Sequence, residues 1–71
     1  MPSVGMVSEV LRGARLAWVS VVAVGEDRVA VSFSGPRAWW AVDAFSRACG
    51  GWGLSCAPAV RRGERVVVLV S

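Results

Sequence analysis

Seventy-one residues, 55% of them hydrophobic and 18% charged, describe one small folding unit rather than a disordered tail or a two-domain chain. Eight arginines against five acids give a net charge of +3 and an isoelectric point near 10.2, with no lysine or histidine in the chain. Without His, Lys or Tyr the ordinary proton-transfer and Schiff-base groups are missing, so a non-enzymatic protein is expected.

A chain this short has a large surface for its volume, so part of its apolar content must face outward. Self-association or docking on a partner is therefore expected. Ile, Asn, Gln and Thr are also absent, while Val, Ala, Gly, Arg and Ser are abundant. GC-rich coding accounts for that bias, and the lack of Asn and Gln also suits a hot habitat. The longest apolar run, LAWVSVVAV at residues 16–24, is about half of what a bilayer-crossing helix needs. Neither a span nor a cleavable leader is read, and a cytoplasmic location is expected.

In residues 3–14 the apolar side chains Val4, Val7, Val10, Leu11 and Ala14 recur at helical spacing, with Ser3 as the N-cap. Residues 16–24 read as a strand buried on both faces. GEDR (25–28) turns the chain, and RVAVSFS alternates, putting Val29, Val31 and Phe33 on one face; together these segments predict a hairpin. Pro36 suits the first position of a second helix ending at Gly50-Gly51. On it Ala38, Val42, Phe45 and Cys49 form the apolar stripe, with Trp39 folded in at its flank and Trp40 opposite, beside Asp43 and Arg47. LSCAPAV (54–60) reads as a strand that Pro58 confines to an edge or bulges; RRGE turns, and RVVVLV (65–70) is the fourth strand.

The fold class is thus α+β: a single domain of residues 1–71 in the order αββαββ, two helices on one face of a four-stranded, mainly antiparallel sheet. The two αββ halves share a helix, an Arg near its end, a Trp before the strand and a Val-rich last strand, the pattern an internal duplication leaves.

Cys49 and Cys56 both fall on core-facing positions and read as small buried hydrophobes, with a disulfide between them as the alternative. Two thiols without histidine leave a zinc set half empty, so no metal and no cofactor is expected. CGGWG lacks the lysine and the following helix of a phosphate loop.

Arginines carry the functional reading. Arg61, Arg62 and Arg65 surround the second turn, and Arg12 and Arg15 the end of the first helix. These five are the candidate contacts to nucleic-acid phosphates, with Trp40 or Trp52 stacking on bases and little sequence specificity, in a small basic module expected to be a homodimer. Lack of Asn and Gln removes the bidentate adenine contact. The alternative is a structural subunit of a protein assembly, docking through Trp40 and Arg47 and through a smooth sheet face of Ala30, Ser32, Ser34, Ser55, Ala57 and Ala59.

Overall fold

Ser3 starts the first helix as the spacing requires: its side-chain oxygen accepts the Met6 N–H at 3.1 Å, and α1 runs Val4–Gly13. The computed structural model describes residues 2–18 and 20–71; Val19, inside the first expected strand, lies outside them. The remaining elements are β1 (Ser20–Ala23), β2 (Val29–Ser34), α2 (Ala38–Gly51), β3 (Val60–Arg62) and β4 (Arg65–Val70), in the expected αββαββ order.

Both helices stop in the same way. After α1, the Arg15 N–H donates to Arg12 O and the Leu16 N–H to Leu11 O, each at 3.0 Å, with Arg15 left-handed at φ 57. After α2, the Gly53 N–H donates to Gly50 O at 3.3 Å and the Leu54 N–H to Cys49 O at 2.9 Å, with Gly53 at φ 72. This paired bonding satisfies carbonyls that a helix end leaves free, and seats Leu16 and Leu54 back toward the core. The terminating glycine of α2 is therefore Gly53; the expected Gly50-Gly51 stop lies inside the helix. At the other end, Gly35 at φ 92 and Pro36 make a turn closed by the Ala38 N–H on Gly35 O. The first helical bond is then Ala41 N–H to Arg37 O, so α2 begins beyond Pro36.

The sheet order is β1-β2-β4-β3, antiparallel throughout. Val29 pairs with Val70 and Ser34 with Arg65, so β2 and β4 exchange places about an axis between them and the two αββ halves are arranged as pseudo-twofold mates. The strand expected at 54–60 is displaced: β3 runs Val60–Arg62, and Pro58 precedes it in a segment that joins the sheet by a single bridge at Cys56. β3 is an edge strand, and the register slips: Val60 pairs with Val67 but Cys56 with Val70, four steps on one strand against three on the other. This bulge turns Ala59 inward and Val60 outward, correcting the expected outward Ala59.

The core lies between the helices and one sheet face. Val7, Val10 and Leu11 come from α1, Phe45 and Cys49 from α2, and Val29, Val31, Phe33, Val66, Val68 and Val70 from the central strands. Phe33 and Phe45 meet with ring centroids 5.8 Å apart and planes inclined at 58°. Three expectations are corrected. Ala41, not Val42, completes the buried stripe of α2, and Val42 is half-buried against the core. That shift puts Trp39 roughly 115° from the centre of the stripe, and Trp39 is 54% exposed rather than folded into the core. β1 is short and lies at an edge with Val22 exposed, so residues 16–24 are not a strand buried on both faces.

Candidate nucleic-acid interface

Strand register decides where the arginines go. Ser34 at the end of β2 stands opposite Arg65 at the start of β4, so the β3–β4 turn lies at the end of the sheet where the chain leaves β2 for α2. β1 also begins at this end, opposite Ser32, a short connection after Arg12 and Arg15. The opposite end carries the β1–β2 turn with Glu26, Asp27 and Arg28.

Within the basic end, the β3–β4 hairpin divides its arginines between two faces. Arg61 pairs with the buried Val66 and stands on the helix side; Arg62 and Arg65 are direct cross-strand partners on the other side. Arg61 Nε donates to Gly63 O at 3.1 Å, which ties the guanidinium to the turn. Gly63, at φ 64, supplies the left-handed residue this two-residue turn requires. A recess of about 200 Å³ opens beside Arg61, lined also by Gly35, Pro36, Trp39 and Glu64.

Arg37, freed from the helix by the Gly35-Pro36 turn, lies over the Trp40 ring at 5.2 Å from its centroid. Trp40 is 59% exposed on the outer face of α2, as its position opposite the apolar stripe predicts. Arg12 is bound to Glu9 at 3.1 Å and Arg47 to Asp43 at 2.8 Å, both pairs solvent-exposed and worth little to stability. Among the described residues, Arg15, Arg37, Arg61, Arg62 and Arg65 make no salt bridge. Sequence reasoning did not assign Arg37 or Trp39 to this surface. The Gly-Pro pair was the available signal, since a turn before the helix places the next side chains at its open end.

The thiols of Cys49 and Cys56 are free, the first buried and the second half-buried. Burial, with the neighbouring Cys56 thiol adding to it, pushes the Cys49 thiol up from 9.0 to about 12. The folded protein therefore holds the Cys49 proton more tightly than the unfolded chain. Its contribution to stability is constant below pH 9 and is lost as pH rises from about 9 toward 12. Thermal melts across that range should show a falling midpoint that Cys49→Ala flattens. Iodoacetamide at neutral pH should label Cys56 while sparing Cys49; equal labelling would contradict the burial. Among the described residues, no group of three or more His, Cys, Asp or Glu side chains comes together to hold a metal ion. No helix among them is long and apolar enough to cross a membrane.

Compared with known proteins, the chain matches no family model, no curated protein and no solved structure.

Proposed function

We propose that this protein is a non-catalytic module that binds single-stranded nucleic acid at its basic end, with little sequence preference. One observation carries the reading: Arg61 and Trp39 line one recess together with Glu64, and Arg37 lies over Trp40 at the start of the same helix, both tryptophans being more than half exposed. Guanidinium groups are the side chains best matched to phosphate oxygens, and Arg61 is already held in place by its turn. An exposed indole offers a flat surface on which any base can stack. Arg12, Arg15, Arg62 and Arg65 add positive potential at the same end, which draws in a polyanion without selecting a sequence.

Stacking on aromatic side chains is worth about 1–3 kcal/mol per base, so Trp40→Ala should weaken binding of a labelled single-stranded oligonucleotide by roughly 5- to 150-fold. Fluorescence anisotropy at low salt reads this directly. Unchanged affinity in Trp40→Ala would remove the tryptophan from the site.

The same exposed ring favours a second reading, in which Trp40 anchors a protein partner and the chain is a structural subunit. That reading predicts no oligonucleotide binding by the native chain and loss of the partner on Trp40→Ala.

A further inference from the structure

We propose that Cys49 and Cys56 are a redox-modification site: a small-molecule disulfide such as oxidised glutathione joins them in a reversible bond that clamps the end of α2 to the segment leading into β3. The fold brings the two side chains together. Cys49 lies in the last turn of α2 and is fully buried. The chain reverses just beyond it, where the Leu54 N–H donates back to Cys49 O at 2.9 Å, and Cys56 then pairs with Val70 at the end of β4. Directly opposed residues share one face of a sheet, and Val70 is fully buried, so Cys56 stands on the helix side, packed against the core. Backbone bonds on either side hold it there. Ser55 and Ser71 exchange N–H donors at 2.9 and 2.8 Å, and the Ala57 N–H donates to Leu69 O at 2.8 Å. So placed, the Cys56 thiol is the hydrogen-bonding neighbour of Cys49.

Unequal burial sets the order of events. Cys56 is half-buried and reachable from solvent, whereas Cys49 is enclosed, so Cys56 reacts first. Its thiolate attacks one sulfur of the oxidant. A Cys56–glutathione bond forms, the oxidant's S–S bond breaks, and one glutathione thiolate leaves and takes a proton from water. Cys49 then gives its proton to water and attacks Cys56 Sγ, forming the Cys49–Cys56 bond and expelling the second glutathione. Two protein thiols are oxidised and one small-molecule disulfide is reduced to two thiols. Burial holds the Cys49 proton and slows the second step, which contact between the reacting sulfurs offsets through a high effective concentration. Gly50, Gly51 and Gly53 lie between the two cysteines and give the connection the backbone latitude to reach bonding geometry. The same glycines make the unfolded reduced chain flexible there, so the cross-link removes entropy mainly from the unfolded state. Cys49 sits near the opposite end of α2 from Trp39 and Trp40, so the clamp acts on the fold and stands or falls apart from nucleic-acid binding.

Incubating the folded native chain with oxidised glutathione should give a product lighter than the reduced chain by two hydrogens, read by intact mass. Tryptic cleavage after Arg47 and Arg61 leaves both cysteines in one peptide, which should refuse iodoacetamide at both sites until it is reduced. The melting midpoint should rise by about 10 °C on oxidation and return with dithiothreitol. Cys49→Ala should stop at the glutathione adduct on Cys56 with no such rise; Cys56→Ser, at the half-buried site, should take up no glutathione and serves as the control should Cys49→Ala unfold. A native chain that stays reduced would overturn the proposal. So would one that ends as the Cys56 adduct or as a disulfide-linked dimer, or an intramolecular disulfide that leaves the midpoint unchanged or lowers it.

Discussion

Phe45→Ala is expected to leave the chain largely unfolded at room temperature. Phe45 is fully buried, and its ring meets Phe33 where α2 crosses the central strands. Truncating a buried phenylalanine costs about 3–5 kcal/mol, from lost transfer free energy plus the cavity left behind. A core in a chain of this size supplies about the same amount in total, so one substitution consumes it. The loss has nowhere to be absorbed, because the remaining core side chains are mostly valines with little reach. Urea unfolding followed by circular dichroism should show no cooperative transition for Phe45→Ala. Trp39→Ala, which removes a larger but exposed ring, should melt close to the native midpoint. The reverse ranking would mean that the core has been misplaced.

The second large effect falls on binding. The double variant Arg37→Ala/Arg61→Ala should lose most single-strand affinity and flatten its salt dependence. Each phosphate neutralised on a single strand contributes about −0.7 to the slope of log affinity against log salt, so three contacts give about −2 and losing two of them leaves about −0.7. Both side chains are exposed and neither makes a salt bridge among the described residues, so stability should barely change. Arg12→Ala and Arg47→Ala are the controls. Their guanidinium groups are occupied by Glu9 and Asp43, and each should shift affinity far less than the double variant.

Much of the fold is written in the residues. Ser3, the alternation of Val29, Val31 and Phe33, and the turn residues at Gly25 and Gly63 locate α1, β2 and both hairpins by local chemistry alone. Trp40 on the outer face of α2 follows from helix geometry. What escaped are features that two segments decide together. In the run RVVVLV valine occupies both faces, so nothing in the pattern tells Val66 from Val67; only pairing with β2 does. Helical periodicity admits Val42 to the stripe as readily as Ala41; in the fold Ala41 is buried and Val42 half-buried against the core. Trp39 then turns outward, and the rim of the candidate site forms from a residue that periodicity alone assigns to the core edge.

The arginines follow the same rule. Their clustering along the chain is visible, but their division between faces is not. Arg61 and Arg62 are adjacent in sequence and point to opposite sides because β3 extends through them, where RRGE alone reads as a turn. Arg37 joins the site because the Gly35-Pro36 turn delays the helix.

The central claim is that the basic end binds a single-stranded polyanion. A labelled single-stranded oligonucleotide titrated with the native chain, by fluorescence anisotropy across a salt series, tests it most directly. Affinity should be measurable at low salt and fall about 20-fold between roughly 50 and 200 mM salt, along a straight line in the double-logarithmic plot. No binding at the lowest salt, or binding that salt leaves unchanged, would contradict it.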